Sequence, residues 1–180
     1  MDIGRISPRY ASALFSLAKE KGEEVRVYQD MKMLADSFSL EPALKEAIAN
    51  PVVTATEKEQ LLIAAGGIEV CDLYKRFIRL VLQHRRENQL LFITYIYIHL
   101  YRKDKKIARV YFSTAVPVGD EVKHHLVDKL ERETKNKIEF VGYVKPELLG
   151  GFCLQIGNCR IDASYATGLN DIRSRLFENR

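Results

Sequence analysis

The sequence predicts an N-terminal all-α six-helix bundle over residues 1-106, followed by a small α+β domain over residues 107-180. Three observations predict it. Up to Lys106, apolar residues recur at helical spacing in six runs with short breaks and no strand signal. At Arg102-Lys103-Asp104-Lys105-Lys106 the character of the chain changes. Beyond that point, alternating β-rich runs enclose one helical run and a second helical run closes the chain.

Ser7-Pro8 reads as the start of the first helix, because serine is a good N-cap and proline suits the first helical position. This helix runs to about Lys21 and stops at Gly22. Between Tyr10 and Lys19 only Ser12, Ser16 and Lys19 are polar, and they occupy one narrow side. Tyr10, Ala11, Ala13, Leu14, Phe15, Leu17 and Ala18 fill an arc of roughly 200°, about twice the stripe a surface helix turns to its core.

Glu23 to Ser39 forms the second helix, with Val27, Met31, Leu34, Ala35 and Phe38 at helical spacing. Pro42 starts a short third helix that ends at Asn50, since Pro51 disfavours helical geometry in the residue before it. Thr54 with Glu57 and Thr56 with Glu59 offer two overlapping capping boxes for the fourth, which ends at Gly66-Gly67. The fifth, near Leu73 to Leu82, repeats the surplus of the first. Only Lys75, Arg76 and Arg79 are polar, while Leu73, Tyr74, Phe77, Ile78, Leu80, Val81 and Leu82 cover roughly 200°. Arg86, Glu87 and Asn88 make a polar break before the sixth helix, Leu90 to Tyr101. That run is about a dozen residues, short of the ~20 that cross a bilayer, so it is expected to be a buried bundle helix.

In the back part, Ile107 to Val118 alternates as a strand, with Val110, Phe112, Thr114 and Val116 on one face. Asp120 to Thr134 returns to helical spacing, Ile138 to Val144 is a second strand and Pro146 begins a turn. Phe152, Leu154 and Ile156 alternate in a third strand, and Gly157-Asn158 is a hairpin turn to Cys159 to Asp162. A closing helix spans about Ala163 to Glu178. At about seventy residues this core is marginal and leans on a partner for stability.

Composition excludes several classes. With 47% hydrophobic and 29% charged residues the chain is an ordinary globular one. No signal or transit peptide is visible, which predicts a cytoplasmic, bacterial location. The net charge of +4 is too mild to argue for nucleic acid, although Gly67 to Arg109 holds ten Lys/Arg against four Asp/Glu. Cys71, Cys153 and Cys159 are odd in number and lack CxxC spacing, so neither a disulfide framework nor a zinc site is expected. Across the hairpin turn Cys153 and Cys159 fall on opposite faces.

No GxGxxG, Walker loop, HExxH or GxSxG is present. Gly150-Gly151 precedes a strand and serves a bend or a close backbone approach. His124 and His125 point in different directions from a helix, and His84 and His99 lack a ligand at i+4. Asp162 reads as a turn-stabilising residue. No catalytic, cofactor-binding or metal residue is expected, and binding is the better class.

Several stretches resemble the delta subunit of the F-type ATP synthase, the family of the mitochondrial oligomycin sensitivity conferral protein. Arg9-Tyr10-Ala11-Ser12-Ala13-Leu14-Phe15 is similar to the family's R-Y-A-x-A-L-F, and Asn50-Pro51-Val52-Val53 to its N-P-V-[VT]. Phe77 to Arg86 follows F-[LI]-x-L-[LV]-x-x-x-R-R, and Ser113 to Val118 approximates [TS]-[ST]-A-x-P-[LV]. Most specific is Pro146-Glu147-Leu148-Leu149-Gly150-Gly151, then Ile156-Gly157, then Asp162 and Ser164. Lys145 stands where the family usually has Asp.

The resemblance implies a non-catalytic stator subunit, with no cofactor, that joins the catalytic head to the peripheral stalk and resists torque during proton-driven ATP synthesis. It implies an alpha subunit N-terminal helix in a groove between the first and fifth helices, the two with surplus apolar arcs. It implies stalk b subunits on the back domain, one copy per complex and a monomer in isolation. Attachment to the cytoplasmic face of the inner membrane is implied only through the complex. Groove candidates on the first helix are Tyr10, Ala13, Leu14 and Leu17; on the fifth they are Leu73, Phe77, Leu80 and Val81, with Arg76 and Arg79 at the rim. The rival reading is a basic helical nucleic-acid-binding protein using Arg76, Arg79, Arg85, Arg86 and Lys103 to Lys106, with binding that falls steeply with salt.

Overall fold

A computed structural model describes residues 3–178 of the chain. Helices dominate, with one small four-stranded mixed sheet near the C-terminus. The chain divides into two compact units, Met1–Arg102 and Lys103–Arg180.

The front unit contains α1 (Ile3–Lys21), α2 (Glu24–Leu40), α3 (Pro42–Ala49), α4 (Ala55–Gly66), α5 (Asp72–Gln83) and most of α6 (Leu90–Asp104). Helix α1 begins upstream of the expected cap, so Ser7 lies inside it and is buried, and Pro8 is an internal residue. A proline so near the amino end removes one backbone bond where few turns depend on it. Of the two overlapping capping boxes, the first one forms. The Glu57 amide donates to Thr54 Oγ1 at 3.3 Å and the Thr54 amide donates to Glu57 Oε2 at 2.9 Å. Thr56 is then a helical residue, and Glu59 instead pairs with Arg79 across to α5 at 2.6 Å.

The front core is closed around Tyr74, Tyr97, Met31, Leu34, Leu62 and Ile78, all fully buried. The Tyr74 hydroxyl donates to the Leu62 carbonyl at 2.7 Å, which satisfies its one buried polar atom and ties α5 to α4. Gly66 ends α4 against that same ring: a Cβ there would lie 2.8 Å from Tyr74. Asp30 on α2 is buried and its carboxylate accepts from the Cys71 amide at 3.0 Å, which fixes the start of α5. The polar break before α6 is a 3-10 turn, Glu87–Gln89. It is anchored by Lys58 of α4, itself 5% exposed, whose ammonium meets Glu87 at 3.1 Å.

The rear unit contains β1 (Ile107–Thr114), α7 (Asp120–Thr134), β2 (Lys137–Val144), β3 (Gly151–Ile156), β4 (Cys159–Ser164) and α8 (Tyr165–Glu178). The sheet order is β2-β1-β3-β4. Strands β1 and β2 run parallel with α7 as their crossover, while β1-β3 and β3-β4 are antiparallel. Strand β1 stops at Thr114, short of the expected Val118, because Thr114 Oγ1 turns to donate to the Val116 carbonyl at 2.8 Å; Val116 is exposed. Ala163 and Ser164 extend β4 and do not belong to the last helix.

Val110, Phe112 and Leu154 share one sheet face and pack on Leu130 of α7. Gly151 has φ +70, and a Cβ there would lie 2.1 Å from the Ala163 carbonyl oxygen, so this is the close backbone approach expected of the glycine pair. Ile156 pairs with Cys159, and all three cysteines are free thiols, with Cys153 buried and Cys159 exposed.

Candidate helix-docking groove

Helix α1 turns two apolar faces outward from its axis. Ala11, Leu14 and Ala18, spaced three and four apart, are buried in the front core. Tyr10, Ala13 and Leu17 lie on the adjoining face, where Ala13 is exposed and Leu17 is 40% exposed. On α5 the division is less even. Leu73, Tyr74, Phe77, Ile78, Val81 and Leu82 are all buried, and Leu80 stands out at 42% exposure.

Between these two helices runs an open groove with a volume of about 860 Å³. Its walls and floor bring together Tyr10, Ala13, Leu14, Leu17, Leu73, Phe77 and Leu80. Leu14 and Phe77, at 3% and 6% exposure, form the floor, and Leu17 and Leu80 form the accessible walls. Val81 is absent from the lining. It is fully buried, one residue and therefore about 100° round the helix from Leu80, so it serves the core. Arg79 is absent as well, held instead by Glu59.

The Tyr10 hydroxyl is hydrogen-bonded to His84 Nδ1 at 2.8 Å, and the two rings meet edge to face with centroids 6.2 Å apart. This contact brings the first half of α1 to the C-terminal end of α5. From Ile6 to Lys21 the groove follows α1 for about 22 Å, the length of four helical turns. Sequence reasoning missed Ile6, Arg9, Lys21, His84 and Arg86, all of which line it. Ile6 was within reach, since it continues the Tyr10-Ala13-Leu17 stripe one turn upstream once the helix passes through Pro8.

The rear unit has its own uncovered surface. On α8, Tyr165, Leu169, Ile172 and Leu176 recur four, three and four residues apart and are 57–69% exposed. That spacing is the apolar repeat of an amphipathic helix.

Titratable groups offer little chemistry. Burial and the nearby Asp30 carboxylate push the Cys71 thiol up to about 11, so it is protonated and inert at neutral pH. The Asp162 carboxylate is held down at about 2 by the Ser164 hydroxyl and amide and by Arg160. It closes a tight turn between β4 and α8, as its place in the hairpin return predicts. Among the described residues no three His, Cys, Asp or Glu side chains converge to hold a metal ion. Nor is any described helix long and apolar enough to cross a membrane.

An open groove sized for a helix in one unit, and an exposed apolar helical seam in the other, define an interaction protein that receives other chains. Residues 6–176 match the family model of the ATP synthase delta (OSCP) subunit, and the chain belongs to that family. The ATP synthase delta subunit of Parabacteroides distasonis is 69% identical over 180 residues, covering 100% of both chains. That of Phocaeicola vulgatus is 43% identical and covers 98% of this chain and 96% of its own. Among solved structures, a chain of the Toxoplasma gondii mitochondrial ATP synthase hexamer shares the fold. It has a TM-score of 0.70 at 21% identity and covers 96% of this chain and 97% of that one.

The chain is accordingly a non-catalytic subunit of the ATP synthase stator, linking the catalytic head to the peripheral stalk, and is a peripheral component of the complex. This displaces the nucleic-acid reading, one of whose cations, Arg79, is neutralised within the fold.

Proposed function

We propose that the groove between α1 and α5 receives the N-terminal helix of an alpha subunit, and that α8 of the back domain meets the b subunits of the stalk. On this reading residues 1-106 act as a six-helix bundle gripping the head, and residues 107-180 act as the stalk-binding domain. One copy serves each complex, the free subunit is a monomer, and it sits on the cytoplasmic face of the inner membrane only through its partners.

The observation that carries the reading is the groove itself, apolar along its floor and open for about four helical turns on the two helices with surplus apolar arc. The exposed seam of Tyr165, Leu169, Ile172 and Leu176 supports the second contact in the same way. A stator joint must hold while the rotor turns, which calls for nanomolar affinity, on the order of −12 kcal/mol, concentrated in two or three anchors.

Leu17 and Leu80 are the residues to test, because Leu14 and Phe77 also support the core. Leu17→Asp with Leu80→Asp should leave stability within ~0.5 kcal/mol of the parent. Titration calorimetry with an alpha N-terminal peptide should show binding weakened by roughly 100-fold or more. Undiminished affinity in a folded double variant would remove the groove from the function.

A further inference from the structure

The margins of the groove carry charge of one sign. Arg9 and Lys21 on α1, Arg76 on α5, and Arg86 with His84 just beyond α5 all line it, and among the described residues no acidic side chain does. Three cations outside the lining have carboxylate partners: Arg79 with Glu59 at 2.6 Å, Lys75 with Asp72 at 3.8 Å and Lys58 with Glu87 at 3.1 Å. Among the described residues the lining cations Arg9, Lys21, Arg76 and Arg86 stand in no such pair, and Arg9, Lys21 and Arg76 are exposed.

This arrangement has a consequence for whatever covers the groove. A helix laid on the apolar floor excludes water from the rim and lowers the local dielectric. Unpaired cations then lose hydration and repel one another more strongly. A neutral occupant bears that cost, and a basic one adds repulsion to it. An occupant with carboxylates beside its apolar stripe offsets the cost and is also steered in from solution.

Resting on the groove reading above, we infer that the alpha segment is an amphipathic helix flanked by Asp or Glu, which Arg9, Lys21, Arg76 and Arg86 select by charge. The apolar floor supplies the affinity and the cationic margins supply the choice of partner. Arg9 adjoins Tyr10 in sequence and Arg86 lies two residues beyond His84, so two of the four cations belong to the end where Tyr10 meets His84.

The test uses the full chain and the first ~25 residues of the cognate alpha subunit, enough to span the groove. Calorimetry compares this peptide with a version whose Asp and Glu are changed to Asn and Gln, at about 50 mM and about 500 mM salt. The expected result is about tenfold tighter binding of the acidic peptide at low salt, with most of the gap closed at high salt. In the chain carrying Arg9→Glu and Arg76→Glu the preference should vanish, and the neutral peptide should bind it as well as the acidic one. Equal affinity and equal salt dependence of the two peptides on the parent chain would overturn charge selection and leave the groove reading standing. So would an alpha segment with no acidic residue that still binds. Binding of neither peptide would bring down the groove reading and this inference with it.

Discussion

The two units close their cores to different degrees. In the front unit Tyr74, Tyr97, Met31, Leu34, Leu62, Ile78, Leu90 and Ile93 are all fully buried, and helices still have apolar surface to spare for a groove. In the rear unit Val110 is fully buried, but Phe112, Leu130 and Leu154 keep 6–9% exposure. The apolar seam of α8 there stays 57–69% exposed. Helices that meet from several directions can enclose a volume, whereas a four-stranded sheet with α7 on one face encloses a thin layer. The front unit is thus a finished fold that offers a site. In the rear unit the core and the exposed apolar seam are drawn from the same small stock of apolar area.

Four measurements would break or sharpen that comparison. The largest effect belongs to Tyr74→Ala, which empties the front core and abandons the Leu62 carbonyl. It should cost about 3–5 kcal/mol in denaturant unfolding, read by the protection of α4 and α5 amides. A loss under about 1 kcal/mol would mean that the front core is not closed as described. Leu154→Ala in the thinner rear core should cost less, about 2–3 kcal/mol, followed by exchange of the β1 and β3 amides.

Asp162 provides a pH handle on the rear unit. Its folded pKa of about 2 lies below the ordinary 3.8, so its contribution is complete above that ordinary value and fades as pH falls toward the folded one. Asp162→Asn should lower the rear unit's thermal stability at pH 7, and the gap from the parent should narrow between about pH 4 and pH 2. A gap constant across that range would mean the carboxylate has no net role. The smallest effect is expected for Leu169→Ser with Leu176→Ser on α8. Both are exposed, so stability of the free subunit should stay within ~0.5 kcal/mol while capture of b-subunit peptides falls.

Much of the architecture was legible because it is local. Gly22, Pro51 and the Thr54-Glu57 box mark boundaries that the helices observe within a residue or two. Gly157-Asn158 sets the register that pairs Ile156 with Cys159. The start of α1 was misplaced because a cap motif competed with a helix able to run through one proline. The end of β1 was misplaced because a side-chain bond of Thr114 turned the chain earlier than alternation required.

What the amino-acid order determined alone was the type of each element and the width of its apolar arc, since both follow from spacing along one rod or strand. Tertiary structure decided which part of each arc is core and which is groove. Leu80 lines the site while Val81 fills the interior, and Arg76 faces the groove while Arg79 reaches Glu59. The reason is that exposure belongs to a relation between elements distant in the chain. Periodicity says how much of a helix wants cover, and only the packing of its neighbours says where cover is missing.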